Sequence, residues 1–214
     1  MDIFMAFFDM FPVICFLIGA IFLQRDLYNK MSKGAFALFS GGTIFIFIAG
    51  FFKGIQKILY YTNICNFEVL AKTFFPMQTT GFVLAAAGIL AMIIHPQGEY
   101  RYYSFIPLVA LAVSPAIWDG TMLFVVLMII GVIIFQGSLI YISIKNKCIA
   151  PIIIFSFSII FILGMGYLST KPELSDWIKE IVNLFGQGLF LIGVIILHKH
   201  GLGKEEYKVN KENI

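Results

Sequence analysis

The sequence predicts an all-α integral membrane protein with seven transmembrane helices, its amino terminus outside and its carboxyl terminus inside. Three observations carry that expectation. Of 214 residues, 60% are hydrophobic and 13% charged, with mean hydropathy +0.93, whereas soluble domains carry about 25% charged residues. Six apolar runs approach or exceed the roughly 17–25 residues that a bilayer core demands: 4–24, 34–52, 74–94, 123–144, 150–168 and 181–197. A shorter run, 103–118, is interrupted by Pro107 and Pro115. The third observation is the placement of basic residues, which accumulate in cytoplasmic loops. If 103–118 spans, ten of the fifteen fall on one side: Arg25, Lys30, Lys33, Arg101, Lys145, Lys147, Lys199, Lys204, Lys208 and Lys211. If it does not, the best split is nine to six, so seven crossings are expected.

The first run opens with MDIFMAFFDM, which has two Asp and no basic residue and so lacks the positive leader of a signal peptide. About twenty residues are needed to span, which puts Asp9 inside the helix, three residues before Pro12. Capping by a neighbouring loop competes with a role in a polar pathway. The second run ends in Lys53, Gln56 and Lys57; 53 and 57 share a face, and snorkelling to the interface is the simpler expectation. The third carries Glu68 and Lys72 at i, i+4, then Pro76 and Gln78, Thr79 and Thr80. Pro76 cannot donate to the Lys72 carbonyl, so FPMQTTG predicts a kinked segment lining a cavity. The segment 103–117 is expected as a short fourth helix, with Asp119 as a turn residue and Trp118 as an interfacial anchor.

The seventh run is the most informative. Asp176, Lys179, Glu180, Asn183 and Gln187 recur at i, i+3, i+4, i+7 and i+11, one stripe on a helix. At 1.5 Å per residue it reaches roughly 16 Å, near mid-depth. Polar groups at that depth need partners, water or a ligand. Gly186 and Gly188 flank Gln187 and permit close approach.

Parts of the chain repeat. FSGGTIFIFIAGF at 39–51 aligns with FSFSIIFILGMGY at 155–167; GAIFLQ from Gly19 resembles GVIIFQ from Gly131; Lys72 and Gly81 match Lys179 and Gly188 at an offset of 107. The domain expected is a single transmembrane unit, 1–198, with repeats 4–95 and 118–198 joined by 103–117 in a 3+1+3 plan, and a polar cytoplasmic tail, 199–214. That plan resembles, in topology alone, the SWEET and PQ-loop carriers, and seven-helix rhodopsins share it. The one Pro-Gln pair, Pro96-Gln97, follows the third run instead of lying in the first helix of a unit, and Lys179 is near the outer end of the seventh, so no family is assigned.

Chemistry follows from these positions. Cys15, Cys65 and Cys148 fall at different depths, and His95, His198 and His200 at helix ends on unshared faces, so neither a disulfide, a metal site nor a cofactor is expected. Net charge +3 reflects inside-positive loops and gives no reason to expect nucleic acid. The expected function is a multi-pass plasma-membrane carrier or ion-conducting protein with an outward polar vestibule between the first, second, third and seventh helices. Its pathway is expected from Asp9, Glu68, Lys72, Gln78, Thr79, Asp176, Lys179, Glu180, Asn183 and Gln187, with Pro76 as the kink. Lys72, Lys179, Asn183 and Gln187 would bind a small polar solute or ion, and Glu68, Asp176 or Glu180 would carry a coupling proton. A sensor or accessory subunit, as a homo-oligomer or with a membrane-complex partner, is the second class. A carboxylate-dependent intramembrane enzyme is the third; HExxH, GxSxG, GxGxxG and P-loop patterns are absent.

Overall fold

The computed structural model describes residues 3–94, 121–169, 173 and 175–202. Regular structure among them is helical: α1 (Ile3–Phe8), α2 (Met10–Leu27), α3 (Lys33–Tyr61), α4 (Glu68–Ile94), α5 (Thr121–Lys145), α6 (Ile149–Ser169) and α7 (Asp176–Leu197), the last closing in a π turn, His198–Leu202. With α1 and α2 taken as one span, six helices are long and apolar enough to cross a membrane. The run 103–118 and most of the polar tail lie outside the described residues. The break between α1 and α2 has a local cause: Pro12 has no N–H for the carbonyl of Phe8, so the ladder is interrupted there, and Asp9 falls in the turn.

The spans close a ring in chain order. α2 packs on α3, α3 on α4, α4 on α5, α5 on α6 and α6 on α7, and α7 returns to α2. Direction is fixed by pairs along each seam. Phe16 stacks on Phe190 and Asp26 meets His198, so α2 and α7 are parallel. Thr79 bonds Phe124 and Phe82 packs on Phe135, so α4 and α5 are parallel as well. Ile94 and Thr121 therefore lie at opposite ends of the bundle. The end carrying Lys57 gathers the starts of α2, α4, α5 and α7; Arg25 marks the other.

Apolar side chains cover both faces of most spans, because the outer face meets lipid and the inner face meets protein. What distinguishes the faces is size. In α2, Ile14, Ile18 and Ile21 face outward while Gly19, Ala20 and Leu23 are buried. The tightest seam, α3 against α4, brings backbones into contact through small residues: a Cβ on Gly42 would collide with the Ala85 nitrogen, and one on Gly88 would lie 2.6 Å from the Ala35 oxygen. At the centre, each span contributes one buried phenylalanine: Phe16, Phe39, Phe82, Phe135, Phe155 and Phe190. Neighbouring ring centroids are 5.5–6.5 Å apart, within the range of favourable aromatic pairing. Below them, towards the Arg25 end, Leu23, Leu27, Ile89, Leu139, Val194 and Leu197 continue a dry core.

Equivalent contacts recur in the two halves. Gly81 meets Ile46 and Gly186 meets Ile162; Gly88 meets Phe39 and Gly193 meets Phe155; Gly42 abuts the Gly81 carbonyl, and the Ser158 hydroxyl donates to the Gly186 carbonyl at 2.9 Å. The second-helix positions differ by 116 and the third-helix positions by 105. The sequence match of Gly81 with Gly188 is offset by two, and Gly188 meets nothing within 4 Å.

Gly42→Ala forces a methyl against α4 backbone, a strain of about 1–3 kcal/mol. It should lower the thermal unfolding midpoint in detergent, whereas Gly41→Ala, with nothing within 4 Å of its Cβ, should leave it unchanged or raised.

Candidate functional site

Above the phenylalanine layer lies a cavity of about 130 Å³ walled by all six described spans. Phe16 and Phe82 belong to both the layer and the cavity, forming its floor. The walls are apolar: Val13, Ile46, Phe47, Phe74, Phe75, Met128, Val132, Ile162 and Met165. Gly50 and Gly166, which align in the two halves, also line it from α3 and α6; a Cβ on Gly166 would meet nothing within 4 Å, and one on Gly50 would meet Val13 at 2.9 Å. Four polar side chains reach the lining: Asp9, Lys53, Gln78 and Asn183. Its volume is at least about four times the roughly 30 Å³ a water takes in the liquid.

The rim is an ion-pair cluster. Lys57 Nζ lies 2.7 Å from Asp9 Oδ2 and 2.8 Å from Glu180 Oε1, tying the α1–α2 break and α7 to α3. The two carboxylates are buried and the lysine side chain is 17% exposed, so solvent screens little of their attraction. Asp9 makes no capping bond to its helix; its partner is the lysine. Glu180 Oε2 is buried with no hydrogen-bond partner among the described residues. One turn before Lys57, the Lys53 ammonium is 4.5 Å from the centroid of the Phe74 ring, a cation–π contact.

The remaining candidate residues divide by position. Glu68 and Lys72 form an exposed pair at 3.4 Å, and neither lines the cavity. Asp176 and Lys179 pair at 3.3 Å on the first turn of α7. α4 continues through Pro76, whose carbonyl accepts the Thr80 hydroxyl at 2.7 Å. Thr79 is fully buried and donates to the Phe124 carbonyl, fastening α4 to α5. Along α7, Glu180 faces the cluster and Asn183 the cavity, while Gln187 is buried but outside the lining. Phe190, Val194 and Leu197 continue the inward face as apolar side chains. The vestibule expected between four helices is walled by α5 and α6 as well.

No family model, curated protein or solved structure matches this chain. The site therefore stands on its own geometry. Lys53 and Lys57 were absent from the residues expected to form the pathway, although their i, i+4 spacing gave the signal: two lysines on one face at a helix end must snorkel or find acids. The acids that Lys57 finds are 48 and 123 residues distant in sequence, and the shared face alone does not name them. No group of three metal-ligating side chains occurs among the described residues.

At the opposite end, His198 Nδ1 lies 2.8 Å from Asp26 Oδ2, and Arg25 Nη2 is 2.8 Å from His198 Nε2. Arg has only donors, so His198 accepts at Nε2 and donates from Nδ1 to the buried carboxylate. α7 is thus held to the first three helices by polar contacts at both ends, through Lys57 of α3 at one and directly to α2 at the other.

Lys57→Met removes the shared cation and strands two buried carboxylates, a loss of about 3–5 kcal/mol for a broken buried pair. Its unfolding midpoint should fall, and the triple variant Asp9→Asn, Lys57→Met, Glu180→Gln should recover most of that loss.

Proposed function

We propose that this protein is a plasma-membrane carrier or ion-conducting protein, with the cavity as its binding site for a small polar solute or ion. The observation that carries the reading is the cavity itself: at the junction of six apolar spans, four polar side chains converge above an aromatic floor. Binding sites at mid-depth between repeated units are characteristic of transporters, and polar groups held in the membrane interior mark pathways.

Seven crossings complete the proposal. The parallel run of α4 and α5 supports a further crossing between Ile94 and Thr121, and 103–118 is the apolar run proposed for it. Among the described residues Arg25, Lys30, Lys33, Lys145, Lys147 and Lys199 are at the Arg25 end, which supports an inside location for that end. The two halves, each a down-up-down triplet, are proposed as parallel repeats of the 3+1+3 plan. Matching glycine contacts support it, as does a cavity bounded by paired positions: Ile46 with Ile162, Gly50 with Gly166, Gln78 with Asn183.

Roles follow from placement. Gln78 and Asn183 offer amides to the solute. Glu180, with one oxygen on Lys57 and the other unpartnered, is the group proposed to carry a coupling proton. In reconstituted vesicles, Gln78→Leu and Asn183→Leu should each reduce solute flux by at least about tenfold, as lost polar contacts in a dry site do, with unchanged yield and unfolding midpoint. Glu180→Gln should leave exchange of solute intact while abolishing its acceleration by a proton gradient. Flux unaffected in both amide variants would remove the cavity from the pathway.

A further inference from the structure

Resting on the carrier reading, we propose that the cavity takes a small organic anion with a short apolar tail, its acidic head on Lys53 and its tail on the aromatic floor. The argument begins with which charges are already engaged. Of the two charged groups lining the cavity, Asp9 is committed to Lys57 at 2.7 Å, and Glu180, held by the same lysine, does not reach the lining. A cationic solute would have to displace an internal lysine from a buried carboxylate. Lys53 makes no ion pair among the described residues; its contact is the Phe74 ring, which leaves the ammonium's hydrogens available to an acceptor.

The groups around that ammonium suit an anion. Gln78 is one helical turn beyond Phe74 on the same face of α4, and Asn183 approaches from α7; each carries an amide NH₂ that donates. Beyond these amides the lining is hydrocarbon, aromatic and thioether, with Phe16, Phe82, Met128 and Met165 at or near the floor. A highly hydrated inorganic anion finds no donor side chains in the lining beyond Lys53 and the two amides to replace its water, whereas a three- or four-carbon tail buries apolar surface against the aromatic floor. Charge balance agrees. Asp9 and Glu180 offset Lys53 and Lys57, so a bound anion adds one negative charge, which a proton on the unpartnered Glu180 oxygen would cancel.

The test uses the full chain in proteoliposomes with four labelled probes of similar size: propionate, propanesulfonate, propionamide and tetramethylammonium. Propanesulfonate is permanently charged, so its flux cannot arise from leakage of a neutral acid. Saturable entry of propionate and propanesulfonate is expected, with propionamide and tetramethylammonium at the level of protein-free vesicles. Lys53→Gln should reduce anion entry by at least about tenfold, and Lys53→Arg should retain most of it. Entry of tetramethylammonium or propionamide without the anions would overturn the anion assignment while leaving the carrier reading standing. So would anion entry unchanged in folded Lys53→Gln. Entry of none of the four would sink both readings. The wild-type selectivity decides the matter even if Lys53→Gln fails to fold.

Discussion

Lys57 makes its own end of this bundle possible. Two carboxylates from opposite parts of the chain, Asp9 and Glu180, are removed from water there, and neither would tolerate burial without a cation. A single ammonium between them, at 2.7 Å from Asp9 Oδ2 and 2.8 Å from Glu180 Oε1, holds one oxygen of each and ties the α1–α2 break and α7 to α3. Those ties leave a gap between the helices instead of a sealed core. Lys53, one turn along α3 from Lys57, is carried into the wall of that gap. The cavity is thus a consequence of where the charge pairs close.

The remaining depth is closed by packing. Lipid removes the usual hydrophobic drive between helices, so close approach through small residues and aromatic contact must hold them. Gly42, Gly81 and Gly88 bring α3 and α4 backbones together, and the six phenylalanines fill the space that the ring leaves in its middle. One ring from each span makes the layer a shared element: moving any helix disturbs at least one of its aromatic contacts. The layer also separates the cavity from the Arg25 end, where Asp26 and His198 pair.

The positions of the spans were legible because length and hydropathy report them directly. Most ends of the six described spans fall within several residues of the apolar runs; α3 continues past position 52 to Tyr61 and α4 starts earlier than expected, at Glu68, because their polar ends are still helical. The α7 stripe was legible for a different reason. Polar residues on an apolar helix make its inward face visible, and Glu180 and Asn183 do face the interior. Gln187 follows the same spacing, yet it is buried below the cavity, since periodicity gives a face and not a depth at which space occurs. Glu68 and Lys72 carried the same helical signal as Lys53 and Lys57 but pair with each other in the open, 66% and 78% exposed in their side chains. Which lysine turns inward depends on an acid brought from elsewhere, and local spacing holds no record of that.

The two halves agree where walls are built and differ where charge is placed. Gly81 meets Ile46 as Gly186 meets Ile162, but under the proposed repeat the positions aligned with Asp9, Lys53 and Lys57 are Thr121, Ser169 and Glu173. A similar divergence occurs deeper. Gln24 donates to the Thr43 hydroxyl at 2.7 Å, while its counterpart Gln136 faces a half where Thr43 is replaced by Ile159, and its Oε1 is buried without a partner among the described residues. The seams between halves differ in the same sense. α7 is tied to the first half at both ends, by Lys57 of α3 on Glu180 and by Asp26 of α2 on His198, whereas the described side-chain hydrogen bond between α4 and α5 is the Thr79 hydroxyl on the Phe124 carbonyl. Relative movement of the halves therefore meets its greater resistance where α7 meets the first half, because breaking either tie leaves a buried carboxylate, Glu180 or Asp26, without its partner.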